Sequence, residues 1–390
     1  MLQKDASPQR LADGSEIVIT GRGLVGALGL DVVTACAAFR AGLSRASLLE
    51  EFHVKGDGHL GTPLIVHAVR GITDGFEGPL RLQRLLAAGF EDLFRQTPEL
   101  AARAGQASLF VALPEPGREF TGATALAEDD PERAELQDAA KTAKLPKLAG
   151  LAAGLVEDAL LGLDPKLRFA SVHVISAGHA SMAQACLNAA ELLRRQATNL
   201  AVVISADSLL DVETLGWLKT LRRLRTEQRP AGVVVGEGCA VLVLERKRDA
   251  RDRKATVFAE LGGIAIDHDP SPLLSGEASK GLVMANLIHS IHGAQAHAPW
   301  VLLEHNGEAA RAAEWGNSLF HLRARAASYA DTDAWFPAIG FGDTGAASGA
   351  VAACIALAAW ERKYAPRDSA LICSRSDGTP RSVLQLKRVG

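Results

Sequence analysis

Cysteine is scarce in this 390-residue chain: Cys36, Cys186, Cys239, Cys354 and Cys373, with no C-x-x-C pair among them. The odd count excludes a disulfide framework, the spacing excludes a cysteine zinc site, and both fit a reducing cytoplasm. Charge of one sign is also missing. The 42 Lys+Arg stand against 45 Asp+Glu, a net charge of −3, which leaves no electrostatic footprint for nucleic acid or an anionic membrane. Long hydrophobic runs are absent. Two long uncharged stretches, 169–190 and 344–360, are respectively polar-studded (His173, His179, Gln184, Asn188) and built largely of Gly and Ala, so both read as buried elements and no membrane span is expected. Residues 1–16 have no apolar core, so no secretory signal is expected there and a cytoplasmic location is.

Hydrophobic residues at 48% and charged residues at 22% suit a folded globular chain with two or three domains' worth of core. Strands are predicted at 16–20, 107–113, 170–175 and 199–205, and helices at 32–41, 148–163 and 180–196. GRGLVGALGLD reads as a glycine-rich turn, and 232–235 and 240–245 as two paired strands around a GEG turn. Residues 114–147 are charged, carry several prolines and read as a surface excursion. Beyond RKRDARDRK (246–254), read as a solvated linker, strands at 256–264, 300–304, 369–373 and 382–386 alternate with helices at 278–292 and 346–360. The pattern is α/β, with sheets covered on both faces, in two halves, 1–250 and 251–390.

Six segments, in order, resemble the β-ketoacyl-ACP synthases of the thiolase superfamily. They are VITGRGLVGALGLDVVTACAAFRAGLS (18–44), VISAGHASMAQACLNAAELLRR (174–195), AGVVVGEGCAVLVLE (231–245), LLEHNGE (302–308), GFGDTGAASGAVAACIALAAW (340–360) and SRSDGTPRSVLQLKR (374–388). The resemblance implies a thiolase fold of five layers, αβαβα, with two pseudo-symmetric halves, usually as a dimer. It also implies a site. The family's nucleophilic cysteine falls on His179, its first histidine on His305, its second on Asp343, and its lysine on Ala338. In the terminal loop Arg375, Ser376 and Asp377 stand where the family has Gly, Phe and Gly. Gly21, Gly23 and Gly26 match G-x-G-x-x-G, but no acidic ribose partner follows a second strand. The nicotinamide reading is therefore rejected, and no cofactor or metal is expected.

A condensing enzyme holds its acyl chain as a thioester on a thiolate made acidic at a helix N-terminus. An acyl-imidazole on His179 would be far more labile to water. An ionised Asp343 near a developing oxyanion opposes condensation, and Ala338 removes the cation that would offset it. Two readings of His179 stay open, a general base and a histidine filling a vacated pocket. His305 and Asp343 read as a hydrogen-bonded pair able to activate Ser181 or Ser176, although serine at Ser181 also suits helix capping. Cys186, two helical turns beyond His179, and Cys239 read as packed small side chains. The expectation is a non-condensing, ketosynthase-like partner subunit, scaffold or adaptor, forming a homo- or heterodimer, with acyl-ACP or acyl-CoA as ligands and 114–147 as a partner surface. The alternative is an acyl transferase or thioester hydrolase using His179, His305 and Asp343, and an active synthase ranks last.

Overall fold

The computed structural model describes residues 8–54, 62–115, 117–118, 122, 126–142, 148–293, 295 and 297–389. The strands in chain order are β1 (Gln9–Leu11), β2 (Ile17–Gly26), β3 (Ser47–Val54), β4 (Thr62–Val66), β5 (Ala107–Leu113), β6 (Ser171–Ser176), β7 (Leu200–Ser208), β8 (Glu237–Arg246), β9 (Ala259–His268), β10 (Trp300–Leu303), β11 (Asp333–Trp335), β12 (Ser369–Arg375) and β13 (Pro380–Lys387). β3 and β4 form a separate hairpin, and the others make one continuous path, β11-β10-β12-β13-β9-β2-β8-β7-β5-β6, with β1 beside β9.

The path is one arrangement used twice. By rank in the chain, β2, β5, β6, β7 and β8 lie in the order third, second, fourth, fifth, first, and so do β9 to β13. In each half the first three strands of that order are parallel and the last two join antiparallel. The halves meet where β2 pairs with β9 at Val18–Glu260 and Ile19–Ala259.

Strands buried on both faces need helices on both sides. One core joins the helices Ser181–Arg194 and Ser348–Glu361 to the inner faces of both halves. A second packs helices Gly78–Gln96 and Leu148–Leu161 on the outer face of the first half, and a third packs Leu282–His292 and Ala309–Arg323 on that of the second. These are the five αβαβα layers of the thiolase fold. The helix Ser348–Glu361 can lie between two sheets because its Gly and Ala side chains let backbones approach, and it is buried from Ser348 to Trp360.

Five local expectations change. The glycine-rich segment after residue 20 is strand, not turn, and β2 continues to Gly26. Gly23 is needed there because a Cβ would sit 2.9 Å from the Leu93 nitrogen and 3.0 Å from the Gly89 oxygen. Residues 232–235 do not pair with β8. They make isolated bridges, Leu224–Val233 and Val235–Asp343, while β8 lies between β2 and β7. The 246–254 segment holds a short helix, Lys247–Asp252. The helix expected from 278 starts at Leu282, since Gly281 has φ +68° and sits against the backbone of Ser318. Of 114–147, part lies outside the described residues. The helix Pro131–Thr142 is at the surface, but Arg118 turns inward onto Asp207 at 2.8 and 2.9 Å, so the segment is not surface alone.

Gly23→Ala should cost about 1–3 kcal/mol by overpacking β2 against the helix Gly78–Gln96. Urea denaturation would read this as a lower midpoint at unchanged slope.

Candidate functional site

β6 ends in a tight turn, Gly178–Ala180, that opens the helix Ser181–Arg194. Gly178 takes φ +57°, a conformation open to glycine at little cost, and a Cβ there would press on Ser376 Oγ at 3.2 Å and Glu115 Oε1 at 3.3 Å. Ser181 Oγ accepts from the Ala177 N–H at 2.7 Å and donates to the Leu113 carbonyl at 3.1 Å, so this hydroxyl ties the turn together. The second half repeats the device. Asp343 precedes the turn Gly345–Ala347, which opens the helix Ser348–Glu361, and its Oδ1 accepts from the Gly345 N–H at 2.9 Å.

The two buried helices thus bring His179 and Asp343 together. His179 Nε2 lies 2.9 Å from Asp343 Oδ1, and Asn306 Nδ2 donates to Asp343 Oδ2 at 2.7 Å. Burial alone would lower the imidazole pKa, but the Asp343 charge overrides it and the net shift is upward. Burial raises Asp343 and the His179 charge outweighs that, holding the carboxyl well below the usual carboxylate range. Both directions favour an imidazolium beside a carboxylate.

A chain of buried charges closes over this pair. Asn306 Nδ2 also donates to Glu308 Oε2 at 3.0 Å. Arg223 bridges Glu308 at 2.8 Å and Asp377 at 2.7 Å, and Arg311 reaches the other Asp377 oxygen at 2.9 Å. Arg375 and the fully buried Arg381 both pair with Glu314. Ser376 Oγ accepts from the Ala180 N–H at 3.1 Å, which pins the terminal loop on the His179 turn. Glu304 accepts from the Arg375 N–H at 3.0 Å through Oε2, whereas its buried Oε1 has no partner among the described residues. Burial pushes this carboxyl up to about 7. The space beside Glu304, Asn306, Asp343, Thr344 and Ser348 is a cavity of about 10 Å³, room for one water.

His305 does not join this group. The period of two that begins in β10 continues past its end. Glu304 and Asn306 face the small cavity, while His305 faces away, edge-on to Phe336 at 5.0 Å, and lines a separate cavity. The expected His305–Asp343 pair is therefore corrected to His179–Asp343, with Asn306 on the second carboxylate oxygen. Ser181 does not touch either histidine by a hydrogen bond. Ser176 donates to the Pro114 carbonyl. Cys186 is buried against Met182, and its thiol is pushed up to about 12 by burial, as Cys36 is. Cys239 is fully buried and shifted the same way.

Asn306, Arg223, Arg311 and Glu304 were not singled out in the sequence. The burst of polar residues in EHNGE directly after an apolar strand carried a signal for the first and last. Nothing local to Arg223 or Arg311 distinguishes them from surface arginines. Among the described residues no group of three or more His, Cys, Asp or Glu side chains comes together to hold a metal, and no helix is long and apolar enough to cross a membrane.

Neither a family model nor a curated protein sequence matches the chain. Solved structures do match in fold. The ketosynthase of module 6 of the Bacillus subtilis bacillaene synthase aligns with a TM-score of 0.70 at 14% identity, over 96% of this chain and 72% of that one. The ishigamide ketosynthase/chain length factor aligns with a TM-score of 0.70 at 18% identity, over 96% of this chain and 99% of the other. A type II ketosynthase in complex with its acyl-carrier protein gives 0.68 at 18%, over 98% and 100%. The chain has the ketosynthase fold.

Two outcomes follow. Arg223→Met leaves Glu308 and Asp377 buried without that cation and should cost about 3–5 kcal/mol in urea denaturation. The raised His179 value makes its contribution complete below pH ~6.5 and lost as pH climbs through the folded value. Glu304, lifted by burial from an ordinary value near ~4.3 to about 7, has its contribution complete below pH ~4.3 and lost as pH climbs from there to about 7. The depressed Asp343 value makes its contribution complete above pH ~3.9 and lost as pH falls through the folded value. Together these groups put maximum stability near pH ~4, and Glu304→Gln should remove the part of the decline that falls between pH ~4.3 and about 7 in thermal melts taken across that range.

Proposed function

We propose that this chain is a ketosynthase-fold subunit that does not condense acyl units and acts as a partner, scaffold or adaptor for another protein, with acyl-chain recognition as its remaining link to that chemistry. The His179–Asp343 ion pair carries this reading. At the turn where the resemblance places a nucleophile, the side chain is an imidazole 2.9 Å from a buried carboxylate that favours its protonated form. A protonated imidazole has no lone pair for attack on a thioester, and the adjacent carboxylate opposes the oxyanion that attack would create. The five cysteines are all buried.

The hydrolytic alternative needs a hydroxyl within reach of a base. Ser181 and Ser176 spend their hydroxyl protons on backbone carbonyls, and His305 sits in another cavity, so no observation favours it.

A partner role needs a surface. β6 is the outer strand of the first half, paired among the described residues with β5 only, uncharged from Ser171 to Ser176, with Val172 exposed. An unpaired, uncharged edge is a template for a second chain, and we assign it to subunit pairing with a copy or a relative. The helix Pro131–Thr142 offers a second contact for a protein partner, on its exposed face with Glu132 and Glu135. The solved complex of a ketosynthase with its acyl-carrier protein makes a carrier domain one partner of suitable kind.

Incubation with malonyl and acyl thioesters of CoA and of a carrier protein, followed by intact-mass analysis, should show neither adduct nor elongated product. His179→Cys should remain as inactive as the denatured control, since Asp343 and Ala338 are unchanged. Elongation or a stable acyl adduct above that control would overturn the reading. In sedimentation experiments Val172→Lys should raise the dissociation constant of the subunit pair at least about tenfold, about 1.4 kcal/mol, at unchanged melting temperature.

A further inference from the structure

The basic segment 246–254 lines a groove. The helix Lys247–Asp252 and the residues after it share with the end of the helix Ser181–Arg194 a concave space of about 750 Å³, within the range of small-molecule sites. Ten residues line it. Six of them are Arg194, Arg246, Lys247, Arg248, Arg251 and Lys254, against one acid, Glu16. In the whole chain 42 of 390 residues are Lys or Arg, so this groove concentrates positive charge that the near-neutral total hides. Helical spacing makes the concentration possible. Residues three apart share a face, so Arg248 and Arg251 fall together, while Asp249 and Asp252 line a different cavity with Arg253.

Three of the six cations are engaged within the chain. Arg194 pairs with Glu16 and Lys247 with Glu260. Arg246 donates to the Leu193 and Thr198 carbonyls at 2.8 and 3.1 Å and meets Asp249 at 2.5 Å. The other three, all exposed, keep charge to offer. Arg248 reaches Asp249 at 3.3 Å, but Arg246 already holds that carboxylate. Arg251 lies 3.5 Å from Asp252 with its side chain 81% exposed, and a pair that long and open contributes little. Lys254 makes neither an ion pair nor a side-chain hydrogen bond among the described residues. Its φ is +59°, a conformation that glycine adopts at less cost, yet the chain has a long cation there. Guanidinium and ammonium groups are donors without acceptors. Three under-compensated cations on one concave surface therefore select a compact ligand rich in acceptor oxygens, with two to three negative charges. A neutral or cationic ligand would leave their mutual repulsion unrelieved.

We propose that this groove binds a small polyanion of two to three negative charges, a diphosphate or a tricarboxylate, through Arg248, Arg251 and Lys254. The proposal is independent of the partner-subunit reading, because it uses neither His179 nor the β6 edge.

The full chain would be titrated calorimetrically at low salt and neutral pH with pyrophosphate, citrate and orthophosphate. One pyrophosphate or one citrate should bind per chain, at least about tenfold tighter than orthophosphate, and the tighter of the two names the ligand's chemistry. Added salt should weaken that binding. Arg251→Gln and Lys254→Gly should each weaken it about fivefold, and the triple variant with Arg248→Gln should abolish it. Lys254→Gly should leave the melting temperature unchanged or raised, since glycine suits that φ, so its loss of affinity is not a loss of fold. Orthophosphate binding as tightly as pyrophosphate and citrate, no saturable binding of any probe, or full affinity in the triple variant would each overturn the proposal. So would a single-stranded oligonucleotide that binds and that pyrophosphate does not displace.

Discussion

The ion pair between His179 and Asp343 is the constraint on which the centre of the molecule depends. Each residue stands at the start of a buried helix, Ser181–Arg194 and Ser348–Glu361, and both helices point their N-termini at the same place. Helix N-termini carry partial positive charge and disfavour an imidazolium. Asp343 opposes that effect, meeting the ring at 2.9 Å, with the Gly345 N–H and Asn306 fixing the carboxylate. Removing either partner strands a buried charge, so the pair is a structural joint between the halves before it is anything chemical.

The charges above the pair extend that joint. Arg223 follows the helix Val212–Thr220 of the first half, whereas Glu308, Arg311 and Asp377 belong to the second, and all four lock together in the interior. Buried ion networks are weak sources of net stability because desolvation offsets the Coulomb attraction. Their geometric demand is high, however, and here it holds the terminal loop and the 304–308 segment against the His179 turn. Ser376 bonds the Ala180 N–H, and the space beside Glu304 has room for about one water. The same closure leaves the open volume on the other side of Asn306, where His305 lies.

Much of the architecture was legible in the residues. Apolar runs such as LAVVIS and WVLLE marked central strands, and the Gly/Ala stretch at 346–360 marked a helix that neighbours approach closely. Boundaries were less legible where backbone conformation, not composition, sets them. Glycines in β2 looked like a turn because glycine does mark turns, yet Gly23 is there for the closeness of the helix Gly78–Gln96. The helix Gly78–Gln96 itself carried its period in Leu85, Leu86, Phe90 and Leu93, which face the core, and was not picked out from a segment rich in charge.

At the site, the order of residues along the chain was the basis for matching His179 to a sulfur nucleophile's position, and Asp343 and Ala338 to those of a histidine and a lysine. Side-chain identity is local, so those substitutions needed no coordinates. Which acid meets which histidine did need them. Asp343 and His179 lie 164 positions apart, and nothing in either neighbourhood encodes the 2.9 Å between them. His305 was the nearer choice by sequence, but the alternation of an extended backbone sends adjacent side chains to opposite sides, and that one-residue parity put Asn306 on Asp343 and His305 in a different cavity. Long-range pairing of buried charges is a property of the packed interior, because only there does removal from water make each group's partner obligatory.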